Sequence, residues 1–233
     1  LGTVNNYTYG IVLDDMAFGE SSKIIKVFTR NMGKISIMVK GAMSSRSKNL
    51  SVTQVFGVNE YLLKKGQSFY YIAESKIIES NFDIRNSYWN LIYASLLSEL
   101  LDKSTIDEHS NSKVFDLFRK TLNLYNSTND PIGLAIAFEL KYLTFIGYKP
   151  NLEISDEIYF SIKEGVIDFQ NAFSYKLTKD DLKYFNALLF SKLENIEDII
   201  IDNDRKKFLH KIIIDYIKYN LEISSFKSNK LFS

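Results

Sequence analysis

The chain has 233 residues and no cysteine. That absence excludes a disulfide scaffold, a thiol nucleophile and every thiolate zinc site together. Proline and glycine are also scarce, with 2 and 10 residues, so little of the chain is left for irregular structure. The 2 histidines, His109 and His210, fall on separate segments without ligand spacing, and no metal or other cofactor is expected. No apolar run approaches the ~18 residues of a membrane helix. No signal-peptide layout is recognisable either, which points to a cytoplasmic protein without membrane association.

Enzymatic signatures are missing as well. Gly33-Lys34-Ile35 lacks the partner glycine of a phosphate loop, and no Gly-x-Ser-x-Gly elbow occurs. The carboxylate pairs have structural explanations. Asp14-Asp15 reads as a strand-end turn, and Asp180-Asp181 and Asp202/Asp204 as helix N-terminal charges. A catalytic role is therefore not expected.

What is present is an ordinary globular composition, 45% hydrophobic and 24% charged, rich in Tyr (15) and Phe (17). The net charge of +1 hides an asymmetry. Residues 1–80 carry ten basic against six acidic side chains, a balance of +4, whereas 81–233 carry 19 against 22, a balance of −3. Residues 21–59 contain no acid at all, but do contain Lys23, Lys26, Arg30, Lys34, Lys40, Arg46 and Lys48. Such a patch suits a polyanion.

Seven of the ten glycines lie in the first 66 residues, between short β-branched and aromatic runs. This punctuation predicts five strands over about 7–14, 23–30, 33–42, 54–64 and 69–79, and a small closed barrel of OB type. The period of two sets Ile35, Ile37 and Val39 on one face and Lys34, Ser36, Met38 and Lys40 on the other, with Lys26, Phe28 and Arg30 beside them. A basic platform follows, with the Ser-rich segment 43–51 at its rim. After residue 82 the period becomes 3.6. Helices are predicted over about 89–101, 112–125, 132–146, 178–193 and 204–223. Asp130-Pro131 opens the third, and Asp181 takes the Glu position of a capping box in the fourth. Residues 159–163 and 166–169 flank Glu164-Gly165 as a small hairpin. The fold class is thus α+β: an OB-fold barrel over 1–80, then a mainly helical domain over 81–233 with a β-hairpin insertion at about 151–175.

Single-stranded nucleic acid is held by a positive groove for phosphates and by aromatic rings for bases. Here the seven cations above supply the charge, and Phe28, Tyr61, Tyr70 or Tyr71 the rings, although most of these aromatics suit a barrel core equally well. Lysine outnumbers arginine 24 to five, which favours phosphate contacts over base readout.

Gly10-Ile11-Val12-Leu13, Gly19-Glu20 with Lys23-Ile24-Ile25, Phe28-Thr29-Arg30-Asn31-Met32-Gly33-Lys34, and Lys40-Gly41-Ala42 before a basic loop occur in that order. With Phe138-Glu139-Leu140-Lys141 and Gly147-Tyr148-Lys149-Pro150, they resemble the bacterial RecO recombination-mediator family over residues 7–150. The resemblance implies a non-catalytic DNA repair and recombination protein. Such a protein binds single- and double-stranded DNA, anneals complementary strands and contacts the acidic C-terminal tail of single-strand binding protein. With RecR, it loads RecA onto protein-coated strands in the cytoplasm, at the nucleoid. It also carries Thr29-Arg30 and Gly33-Lys34 over as DNA contacts.

Many members of that family hold zinc on two Cys-x-x-Cys pairs after the position of Pro150. This chain has Asn151–Asp156 and Ile167–Ala172 there, so the hairpin is expected to rest on Ile154, Ile158, Phe160, Ile167 and Phe169 instead. A tail-binding pocket needs apolar walls and flanking cations, and Arg119, Lys120 and Lys141 beside Phe115, Phe118 and Tyr142 are the candidates. The competing expectation is an adaptor or RNA-binding OB protein without annealing activity.

Overall fold

The computed structural model describes residues 7–44, 49–153, 158–167 and 169–228, and falls into two compact units, Leu1–Asn126 and Ser127–Ser233. In the first, strands β1 (Thr8–Phe18), β2 (Ser22–Thr29), β3 (Gly33–Val39), β4 (Val58–Lys65) and β5 (Tyr70–Glu79) close into a barrel in the order β1-β2-β3-β5-β4. Every pairing is antiparallel except β3 with β5, where Ile37 faces Tyr70 and Met38 faces Tyr71. The five-stranded OB-type barrel read from the sequence is present. Its interior is the alternating row Ile25, Val27, Ile35, Ile37 and Val39, joined by Val12, Tyr61 and Leu63.

Two boundaries differ from expectation. β1 does not stop at Asp14-Asp15 but runs to Phe18, because a bulge between Val12 and Asp14 shifts its register on β2. Residues 54–57 do not open the fourth strand. A 3-10 turn (Ser51–Thr53) leads into Phe56, which is buried with φ 73°. The Phe56 amide donates to the Val12 carbonyl at 2.9 Å, and the Val12 amide donates to the Gly57 carbonyl at 3.1 Å, which ties this bend to the bulge.

The unit does not end with the barrel. Helices α1 (Tyr88–Ser104) and α2 (Ser112–Tyr125) belong to it, with the residues that join them. They cover the outer face of β2 and β3, where Ile24, Phe28 and Met38 are buried and the Phe28 and Phe115 rings lie 6.2 Å apart. The open platform expected from strand alternation is therefore an internal interface. Its even-numbered apolar side chains need a covering layer, and alternation alone does not say what supplies it. Gly33, at φ +73°, permits the approach: a Cβ there would meet the His109 backbone at 2.5 Å.

The second unit is built on α3 (Pro131–Phe145), α4 (Lys179–Phe190) and α5 (Asn203–Asn220). α3 is apolar on nearly every side and packs against both of the others. Asp130 caps it by accepting from the Gly133 amide at 3.0 Å, and Thr178 and Asp181 form the expected capping box of α4. Between them stands a three-stranded sheet, β7 (Gly165–Ile167), β6 (Tyr159–Ser161) and β8 (Ser174–Lys176) in spatial order. The hairpin is thus joined by a third strand, too short for its periodicity to register.

Phe160 anchors that sheet, 6.3 Å from the Phe185 ring and 5.5 Å from the Tyr216 ring. Ile158 is buried with it. Phe169, expected to pack there, is 62% exposed because it lies beyond β7. Ile154 and the Ile167 side chain lie outside the described part of the structure. The chain has no cysteine to supply thiolate ligands, and among the described residues no group of three His, Asp or Glu side chains gathers as a metal site.

Charge is buried in this unit. Glu139 on α3 is fully buried, 3.0 Å from His210 Nε2 of α5, and its other carboxylate oxygen has no hydrogen-bond partner among the described residues. Burial pushes its carboxyl above the usual range, and His210 opposes the shift. Asp181 experiences burial in the same sense, but hydrogen bonds from Arg205 and Thr178 outweigh it and hold that carboxyl low.

Two outcomes follow for stability. Phe28→Ala leaves a cavity between barrel and helix layer and is expected to cost about 3–5 kcal/mol in urea unfolding. For Glu139, a raised folded pKa means that its stabilising contribution is full below the unfolded value of 4.5 and is lost as pH rises through the folded value. Glu139→Gln should remove this loss, so its stability relative to the parent protein should grow as pH is raised from about 4.5 in paired urea titrations.

Candidate nucleic-acid interface

The cations of the barrel meet carboxylates of the helix layer. Lys26 donates to Asp102 at 2.6 Å. Lys34 donates to the Asp102 backbone carbonyl and stands 3.5 Å from the Asp102 carboxylate and 3.4 Å from that of Asp107. Arg30 grips Asp116 with two bonds of 3.0 and 2.9 Å, which holds the Asp116 carboxyl below its usual range. Lys23 pairs with Asp15 on β1. Four of the seven cations thus have intramolecular partners. Lys40 is exposed and forms no ion pair among the described residues, and Arg46 and Lys48 lie outside them.

Of the candidate rings, Phe28, Tyr61 and Tyr70 are buried and only Tyr71 is exposed. Tyr61 donates to the Val52 carbonyl at 3.0 Å inside the barrel, where burial pushes its phenol well above the usual range.

An accessible aromatic cluster lies instead at one end of the barrel, where the β1–β2 turn, the β4–β5 turn and the residues after β3 meet. Met43 donates its amide to the Ser21 carbonyl at 3.0 Å, and the Phe18 and Phe69 rings lie 6.4 Å apart. Phe18 is 51% exposed, Met43 is also exposed, and Tyr71 stands in register with Lys64 across β4 and β5. Lys40 closes β3 at the same end, and Lys64, like Lys40, forms no ion pair among the described residues. Rings and unpaired ammonium groups at the two turns provide stacking surfaces beside phosphate contacts. Sequence reasoning missed Phe18 and Phe69. The signal was their place beside the turns at Gly19 and Gly66, where a ring has no sheet face to enter.

The candidate partner-binding residues are dispersed. Arg119 donates to Glu79 at 2.9 Å and lies over the Tyr9 ring. With Lys120, Asp116 and Asn123, these two line an open cleft of about 420 Å³. Lys141 belongs to the second unit and donates to the carbonyls of Leu189 and Ser191, the latter at 2.8 Å, at the end of α4. Phe115, Phe118 and Tyr142 are fully buried, so the apolar walls expected from them are core instead.

This placement separates two kinds of cation. Lys34→Glu sets a third negative charge beside Asp102 and Asp107 and is expected to cost about 2–3 kcal/mol, read as a lowered Tm. Lys40→Glu and Lys64→Glu should leave Tm within the small range of surface substitutions.

The family model "Recombination protein O N terminal" matches residues 5–81, and "Recombination protein O C terminal" matches residues 85–230. The DNA repair protein RecO of Alkaliphilus metalliredigens is 30% identical over 235 residues, covering 95% of this chain and 96% of its own. That of Halalkalibacterium halodurans is 31% identical over 219 residues, covering 89% and 86%. That of Clostridium acetobutylicum is 31% identical over 223 residues, covering 91% and 90%. Two matched halves and an OB-type barrel followed by helices agree on one conclusion: the chain belongs to the RecO family of DNA repair proteins.

Proposed function

We propose that this chain is a recombination mediator that holds DNA at the loop-bearing end of its barrel. Lys40 and Lys64 take phosphates, Phe18, Phe69 and Tyr71 stack bases, and Arg46 and Lys48 follow Lys40 in sequence as further cations. The observation that carries this reading is the Phe18–Phe69 pair at 6.4 Å, with Phe18 exposed and Phe69 partly buried, at an end of the barrel that also holds Lys40 and Lys64, which form no ion pair among the described residues. Stacking on rings is indifferent to base identity, and lysine reads phosphate charge, so the site accepts single strands of any sequence. Double-stranded DNA engages the lysines alone, through its backbone. Two strands held with their base edges outward anneal when complementary, and no bond is made or broken by the protein.

The loading of RecA with RecR onto strands coated by single-strand binding protein is part of the same proposal. The acidic tail of the latter needs an apolar wall beside a cation. The second unit offers Phe190, 72% exposed, with Lys149 Nζ 5.3 Å from its ring centre. Lys141 lies at the same helix end, bound to the carbonyl of Leu189. Arg119 and Lys120, on their cleft in the first unit, remain a separate candidate for an acidic partner.

Fluorescence anisotropy with a labelled single strand over a salt series tests the DNA site. Phe18→Ala and Tyr71→Ala should each weaken binding by about 1–3 kcal/mol. Lys40→Glu with Lys64→Glu should flatten the salt dependence by at least the ~0.7 per phosphate contact expected for single strands. Binding that is absent at low salt, or indifferent to these changes, would favour the adaptor reading.

A further inference from the structure

On the second unit, one face of α5 carries rings and cations together. Phe208, Lys211, Asp215 and Tyr219 fall within one stripe at helical spacing. Beside that stripe runs β8, and Tyr175 within it and Phe173 just before it, two positions apart, point to the same side. The two rows meet ring to ring: Tyr219 lies 6.3 Å from Phe173, and Phe208 lies 6.1 Å from Tyr175. Between the two pairs the Tyr175 hydroxyl donates to Asp215 at 2.6 Å. From Phe208 to Tyr219 the helix rises about 16 Å.

The core does not require these outer rings. Phe160 already joins the sheet to α4 and α5, and Phe173 and Tyr219 remain 44% and 46% exposed. The cations here stand over rings instead of beside carboxylates. Lys163, in the turn between β6 and β7, places Nζ 4.0 Å from the Phe173 ring centre and 5.7 Å from that of Tyr219, and Lys211 Nζ is 5.8 Å from that of Tyr175. Neither lysine, nor Lys176 of β8 or Lys218 of α5, forms an ion pair among the described residues. Charge in this unit is also polarised. From Arg205 to Asn220, α5 carries five basic residues and one acidic, whereas the rest of the unit carries nine and fifteen. Arg205, Lys206 and Lys207 are paired with Asp181, Asp130 and Asp204, so the available charge of the helix is that of Lys211 and Lys218.

An ammonium over an exposed ring is weakly held. A phosphate competes for it, and the ring face that the ammonium leaves becomes a stacking surface. We propose that this face of α5 and β8 is a second binding site for single-stranded nucleic acid, in which Lys163 and Lys211 exchange their rings for phosphates and bases stack on Phe173 and Tyr219. Half-buried Tyr175 and Phe208 form its floor. Rings set among lysines match the base and phosphate of each nucleotide along a strand, a repeat that an acidic peptide does not share. The site deepens the annealing reading above and rests on it: a chain with one strand site at the barrel end and another on α5 carries two complementary strands at once.

The test uses the full chain and a labelled single strand of about ten nucleotides. Lys163→Glu with Lys211→Glu reverses two exposed cations and Tyr219→Ala removes an exposed ring, and circular dichroism verifies that each variant is folded. Titration to saturation at low salt is expected to give two strands per chain for the parent protein and one for the Lys163→Glu, Lys211→Glu protein. In a Lys40→Glu, Lys64→Glu background, the remaining binding should lose about 0.7 of its slope of log K on log salt for each further lysine reversed. Tyr219→Ala in that background should weaken it about 10-fold. Annealing of complementary strands should slow in the Lys163→Glu, Lys211→Glu protein while its barrel-end affinity is unchanged. One strand per parent chain, or binding and annealing indifferent to these changes, overturns the second site. So does a face that binds an acidic peptide through Lys163 and Lys211 but no strand. Failure of the barrel-end reading looks different: Lys40→Glu with Lys64→Glu then leaves affinity and stoichiometry unchanged, while the changes on this face remove all binding. A parent protein that binds no single strand overturns both.

Discussion

The contact on which the first unit depends is the seating of a helix layer on the outer face of β2 and β3. It combines a dry element with a charged one. Phe28 and Phe115 bring two fully buried rings together, and Asp102 sits between Lys26 and Lys34. The rings supply burial, and the half-buried carboxylate fixes where along the strands the helix rests, because only one register lets it reach both ammonium groups. Everything that a nucleic acid can touch on this unit is what that seating leaves uncovered. A face whose strand pattern reads as a cationic platform becomes an interior, and the accessible chemistry moves to the turns at the end of the barrel.

The same constraint explains why charge totals mislead here. Residues 21–59 are acid-free along the chain, yet Asp102, Asp107 and Asp116 fold back onto their cations. The net charge of the barrel alone and its surface potential in the folded unit are therefore different quantities. Lys40 and Lys64, at strand ends, form no ion pair among the described residues. In the second unit, aromatic packing holds the small sheet in place. Phe160 lies between Phe185 and Tyr216, so burial of one large ring joins the small sheet to α4 and α5.

Much of the fold was legible along the chain. Period-two runs gave the barrel, with interior residues such as Ile25, Ile37 and Val39, and Asp130-Pro131 and Thr178–Asp181 gave two helix starts through their capping chemistry. Three features were not legible, each for its own reason. The bulge after Val12 depends on the hydrogen bonds that residues 56–57 offer it, 44 positions away. The strand Ser174–Lys176 is too short to show alternation. The compact unit continues past the change of period near residue 82, since periodicity reports the conformation of a segment and not the surface it packs on. At the site, Lys40 and Tyr71 were recognisable from charge and aromaticity, whereas Phe18 and Phe69 acquire their role only when two turns distant in sequence are brought side by side.

Local order is written along the chain: the strands and helices, their caps and their inward faces. Its ordered motifs were also enough to indicate the family. Which cations remain available was decided only by the tertiary structure. A lysine's pairing depends on what lies within about 4 Å of its ammonium group, and for Lys26, Lys34 and Arg30 those neighbours come from residues 68 to 86 positions further along the chain. Chain folding sets such distances, and no periodicity in the strands encodes them.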